Sequence, residues 1–170
     1  MQQGSLIFAS VAFLGAAGDL LTKWWAVERL PQLGLVSLTE RLGLFLVYNH
    51  GTAGGYFVGE HTWLFNIVVM SLVLLVVSGF SVMLSGIDRW SPVAFGMIAG
   101  GGGGNLASVI GGPAGVPDFL VWQADSGSTV NFNIADLVLW LGCALLIPVA
   151  IRLASRLRGA SNDLRVLLAR

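Results

Sequence analysis

The sequence predicts an all-α membrane protein: four transmembrane helices with a small extracytoplasmic β-element. Three observations carry this. Of 170 residues, 55% are hydrophobic and only 11% charged, at a mean hydropathy of +0.80, whereas soluble domains carry about 25% charged residues. Four stretches, roughly 4–27, 63–85, 91–110 and 134–153, offer the ~20 mostly apolar residues that a spanning helix needs. Between the first two, Leu44 to Tyr48 reads as a strand that Gly51, Gly54 and Gly55 then interrupt.

The first span opens at Gly4. Ala16-Ala17-Gly18 imitates a signal-peptide cleavage site, but no cation precedes Lys23 and hydrophobic character resumes at Leu20. It therefore reads as a retained membrane helix. The second span carries no charge from Trp63 to Ser85. Pro92 stands near the start of the third, where proline is tolerated. Gly100 to Gly104 lets another backbone approach closely, and the same run is expected to thin the helix and expose backbone groups. The fourth begins near Asn133, and Pro148 is expected to kink it. With no tandem repeat and no long linker, residues 1–170 read as one membrane domain with a tail at 154–170.

Orientation follows from the cations. Arg152, Arg156, Arg158, Arg165 and Arg170 crowd the tail, which places it in the cytoplasm. An even number of spans puts the N-terminus there too, and places the 28–62 and 111–133 connections outside. The tail reads either as an amphipathic helix on anionic lipid or as a simple anchor. Zero formal net charge argues against nucleic acid as a partner. Cys143, the one cysteine, provides no disulfide and reads as packing in an apolar run. His50 and His61 do not suggest a metal site, and no cofactor is expected.

Between Arg89 and Arg152 no Lys, Arg or His occurs, yet Asp118, Asp125 and Asp136 do. Carboxylates at the edge of a low-dielectric region require a cation, donors or a proton. Asp118 falls in the outer connection after span three and Asp136 at the start of span four, so the two can meet. Their bland readings are a solvated loop acid and, with Asn133 as N-cap, a capping box. If paired, they would share a proton: the ionised member takes a proton from water while the other donates to a carbonyl. Asp125, in Ala124-Asp125-Ser126-Gly127, looks like turn chemistry. Asp19 and Lys23 stand four apart in span one, in the favourable order for an ion pair, either functional or structural. Asn49 and Asn105 are uncharged polar groups at the same outer level.

The ordered motifs resemble those of lipoprotein signal peptidase, the type II signal peptidase family. They are Asp19-Leu20-Leu21-Thr22-Lys23, part of Asn49-x-Gly51-x-Ala53, Gly104-Asn105, Val116-Pro117-Asp118-Phe119 and Phe132-Asn133-Ile134-Ala135-Asp136. The resemblance implies an intramembrane aspartyl endopeptidase of the bacterial cytoplasmic (inner) membrane. It would remove the signal peptide from diacylglyceryl-modified prolipoproteins through Asp118 and Asp136. Asp19, Lys23, Asn49, Gly51, Asn105 and Asn133 would shape the active site or bind substrate. Lipid-modified prolipoproteins, membrane lipids and cyclic-peptide inhibitors are the partners it implies.

The chain departs from the family where an Asp-Arg pair usually follows: Ser108 and Val109 stand there, and Gly54 replaces the usual Phe after Ala53. A second reading is thus a catalytically altered or inactive paralogue that binds lipidated peptides or cyclic-peptide inhibitors, in resistance or sequestration. A third, a small transporter, rests on Asp19 and Lys23 alone and lacks an inverted repeat.

Overall fold

The computed structural model describes residues 2–51, 59–111 and 115–168, with side chains described up to residue 159. Ala53, Gly54, and the side chains of Arg165 and Arg170 lie outside the described residues. The elements in order are α1 (Gln2–Leu33), β1 (Val36–Ser37), β2 (Leu42–Asn49), α2 (Thr62–Leu84), α3 (Ser91–Gly111), β3 (Val116–Gln123), β4 (Thr129–Phe132) and α4 (Ile134–Leu168). All four helices are long and apolar enough to cross a membrane, α4 over Ile134–Gly159. The four expected spans are therefore present, and α1 and α4 run further than their apolar cores.

α3 sits at the centre, packed against α1, α2 and α4. Its glycines make this possible, and the helix does not thin at the Gly100–Gly104 run as expected from glycine's low propensity. Close packing outweighs that propensity here. A Cβ at Gly100 would stand 2.8 Å from the Ala12 carbonyl oxygen of α1, and one at Gly101 would collide with the Ala135 carbonyl of α4. α4 reciprocates, since a Cβ at Gly142 would lie 2.9 Å from the Ala94 carbonyl oxygen. α4 also continues through Pro148. Cys143 is exposed on α4 rather than packed inside, on an outward surface that hydrocarbon can cover.

The β-element is larger than the single strand expected. It is a four-stranded antiparallel sheet in the order β1-β2-β3-β4. The 111–133 connection thus holds two strands, because Val116, Phe119, Val121 and Trp122 favour a pleated surface. Ala124 and Ser128 close the β3–β4 hairpin, with Gly127 at φ 80°. One residue extra in β2 between Leu44 and Val47 shifts the register, so Val47 faces Asp118. Such a bulge re-aims the side chains beyond it. Phe119 then seats the sheet on Ala26 and Leu30 of α1, with Leu44, Leu46 and Ile134 packed around them.

Candidate active site

The buried positions of α1 are Asp19, Lys23, Ala26 and Leu30, a single stripe at helical spacing. Its apolar half carries the sheet, and its charged half points into the bundle between α3 and α4. Asp19 is fully buried, and Gly104 leaves room for it: a Cβ there would lie 2.5 Å from Asp19 Oδ2. Lys23 Nζ donates to Asp19 Oδ2 and to Asn105 Oδ1, each at 2.7 Å. The pair is neutral and satisfied, as a buried charge must be.

At the start of α4 the capping box is complete. Asp136 N–H donates to Asn133 Oδ1 at 3.1 Å, and Asn133 N–H donates to Asp136 Oδ2 at 3.0 Å. The N–H of Ala135, one of the helix's orphan donors, bonds Asp19 Oδ1 at 2.9 Å. A carboxylate from α1 thereby caps α4.

The capping role does not exhaust either residue. Asn133 Nδ2 donates to Asp118 Oδ1 at 2.7 Å and to Asn105 Oδ1 at 3.1 Å. Asn105 Nδ2 donates to Asp136 Oδ1 at 2.9 Å. Each amide has its donors and acceptor oxygen assigned by these partners, which fixes both orientations. One connected network therefore holds Asp118 of β3 and Asp136 of α4 beside the Asp19–Lys23 pair.

Asp118 is a strand residue, not a loop acid. It is 4% exposed. Burial and the neighbouring Asp136 charge push its carboxyl up to about 6, against donation from Asn133 and Asn49 and the attraction of Lys23. The cation that the 90–151 interval lacks is thus supplied from α1, by Lys23. Asn49 faces Asp118 diagonally across the β2–β3 pairing. Its Oδ1 accepts the Gly51 N–H at 2.9 Å, and Asn66 Nδ2 of α2 donates to the Gly51 carbonyl at 2.9 Å.

Asn66 is the site residue that sequence reasoning missed. Its signal was a single amide in an otherwise uncharged span. Asn49, Asn66 and Val109 line a cavity of about 540 Å³ with Trp63, Thr62 and Gly115. Ser108 turns its hydroxyl back to the Gly104 carbonyl at 3.0 Å. Asp125 lies apart, in the hairpin turn, where its exposed carboxylate pairs with Arg41 at 2.7 Å. Among the described residues, no group of three or more His, Cys, Asp or Glu is placed to hold a metal ion.

Comparison with known proteins gives the family and the fold. The sequence pattern of the signal peptidase (SPase) II family matches residues 11–152. The lipoprotein signal peptidase of Hydrogenovibrio crunogenus is 32% identical over 136 residues, covering 76% of each chain. That of Pseudoalteromonas atlantica is 31% identical over 160 residues, covering 86% of this chain and 90% of the relative. A bacterial membrane enzyme solved by the in meso method shares the fold at a TM-score of 0.73, with 21% identity over 84% of this chain and 91% of its own. With the family pattern spanning α1 to α4 and the polar network at its centre, the chain belongs to the signal peptidase II family.

Proposed function

We propose that this protein is a membrane aspartyl endopeptidase that removes the signal peptide from diacylglyceryl-modified prolipoproteins, with Asp118 and Asp136 as its acid–base pair. The observation that carries the reading is the bridge between the two acids. Asn133 donates to one while capping the helix that bears the other, and Asn105 donates to that other. Shared amide partners tie the carboxyl groups of β3 and α4 into one network.

The chemistry follows from the asymmetry of the pair. Both Asp136 oxygens accept N–H groups, a role that suits the ionised member. Asp118, raised to about 6, takes up the shared proton. Asp136 then removes a proton from water as its oxygen attacks the scissile carbonyl carbon, and Asp118 gives its proton to the carbonyl oxygen. Collapse of the tetrahedral intermediate breaks the C–N bond, and the leaving nitrogen takes a proton from the pair. Lys23 offsets the negative charge that remains. The cavity beside Asn49, mixed polar and apolar, suits an extended peptide with a lipid-bearing residue. The membrane is the bacterial inner membrane, with both termini cytoplasmic and the sheet on the outer side.

The test is cleavage of a lipid-modified precursor in micelles. Asp118→Asn and Asp136→Asn are each expected to lower turnover at least 100-fold, the contribution typical of a positioned acid or base. Full turnover in either variant removes the mechanism. If the unaltered protein retains lipidated peptide or a cyclic-peptide inhibitor but never cleaves, it is a binding paralogue.

A further inference from the structure

At the end of the bundle opposite the acid pair lies a second pocket, of about 630 Å³, which the proposed peptidase chemistry does not use. Some 20 Å of α3 separates it from the site, counting from Ser91 to Asn105 at 1.5 Å per residue. Its walls come from the α2–α3 turn and from α4 beyond Val149. Three arginines line it, Arg89, Arg152 and Arg156, against one carboxylate, Asp88.

That carboxylate is already committed. Asp88 Oδ2 accepts the N–H groups of Trp90 and Ser91, each at 2.9 Å, which caps α3. Its Oδ1 accepts Arg152 Nε at 2.8 Å. Burial raises the carboxyl, but Arg152 and the two backbone donors outweigh it and hold Asp88 below the usual range. It stays ionised and neutralises a single arginine.

Donors remain in excess. Arg152 Nη2 is buried and finds no hydrogen-bond partner among the described residues. A buried unpaired donor is destabilising, so such a group points to an acceptor supplied by a ligand. Arg156, one helical turn further on, fastens one Nη to the Ile87 carbonyl, which holds its guanidinium at the pocket rim. Arg89 is held over the Trp90 ring at 5.7 Å. Guanidinium forks of this kind match the oxygens of phosphate. Trp90 and Ile87, 43% and 49% exposed, form an apolar lip at the level where the spanning helices end.

We propose that this pocket binds the phosphate of an anionic membrane lipid. The unpaired Nη2 of Arg152 and the guanidinium groups of Arg89 and Arg156 hold the phosphate oxygens, while the apolar lip lies along the acyl chains. The site is independent of the peptidase reading and stands or falls without it.

Native mass spectrometry of the protein in neutral detergent, titrated with phosphatidylglycerol or phosphatidylcholine, tests the assignment. One phosphatidylglycerol is expected to be retained in preference to phosphatidylcholine. Arg156→Gln and Arg89→Gln keep the Asp88–Arg152 pair intact and should each weaken retention about fivefold, near 1 kcal/mol per cation. Arg158→Gln, which removes the same charge from an exposed residue outside the pocket, should leave retention unchanged. Equal weakening by Arg158→Gln, or no lipid preference, overturns the site in favour of diffuse surface charge. Displacement of the lipid by equimolar glycerol 3-phosphate overturns the lipid as the source and leaves a pocket for soluble phosphate.

Discussion

Asp19 of the first membrane helix accepts the backbone N–H of Ala135 at the start of the fourth, at 2.9 Å. The same carboxylate holds Lys23 through its other oxygen. An apparent intrahelical ion pair is thus also a helix cap, and it fixes where α4 begins relative to α1. Breaking one member of a fully buried pair strands the other charge, at a cost of about 3–5 kcal/mol. Asp19→Ala should lower stability by that order in denaturation followed in micelles. Adding Lys23→Met should recover part of the loss, because the stranded cation goes with it. Additive losses would show that the two do not act as a unit.

Asp118 gives stability a pH dependence of known sign. Its folded value is raised to about 6, above the roughly 4 of an unfolded aspartate. Between those limits the folded state holds more proton, so this group's contribution falls as pH rises from about 4 to about 6. Over two units the change is on the order of 3 kcal/mol, since each unit is about 1.4 kcal/mol. Stability of the unaltered protein minus that of Asp118→Asn, measured across this window, should therefore fall with rising pH. A flat difference would mean that the carboxyl is not held in a protonating environment.

Asn49 reaches the same carboxyl from β2, and its donation favours the ionised form. Asn49→Leu should move that titration to higher pH. The alkaline limb of the cleavage profile should move with it, while substrate binding weakens less. A loss of activity with an unmoved pH profile would reduce Asn49 to a structural support.

Asp125 provides the contrast. Its pairing with Arg41 is exposed on both sides, 80% and 54%, and such pairs contribute about 0–1 kcal/mol. Asp125→Asn should leave both cleavage and stability within about 0.5 kcal/mol of the unaltered protein. A larger loss of cleavage would implicate the β3–β4 hairpin in handling substrate.

Much of this site was legible in the sequence, for identifiable reasons. Asn133 and Asp136 stand at capping-box spacing, and Asp19 and Lys23 at ion-pair spacing, so local patterns announced them. Links between elements were less visible. Lys23 reaches Asn105 across 82 positions, which no local pattern encodes, and so the cation-free interval looked barer than it is. The strand beneath Asp118 was hidden, because Pro117 and the absence of strict alternation mask a strand that β2 completes by pairing. Asn66 went unnoticed because its partner is a backbone carbonyl, that of Gly51. The glycine run announces close approach as well as weakness in α3, but which of its glycines is required depends on what the helix packs against.

That last point yields a matched pair of substitutions one residue apart. At Gly104 a methyl group would stand 2.5 Å from Asp19 Oδ2, and the backbone on which it sits is clamped between α1 and α4. Gly104→Ala should push Asp19 away from Lys23 and the Ala135 amide, costing about 1–3 kcal/mol as overpacking does. At Gly103 the same methyl meets no heavy atom within 4 Å. Gly103→Ala should instead stabilise the protein by about 0.4–1 kcal/mol, by reducing the freedom of the unfolded chain. Thermal denaturation in detergent distinguishes them, and cleavage should fall only in Gly104→Ala. Equal effects at both positions would mean that the run acts through helix flexibility. Opposite effects would show that Gly104 is glycine because a carboxylate occupies the space of its side chain.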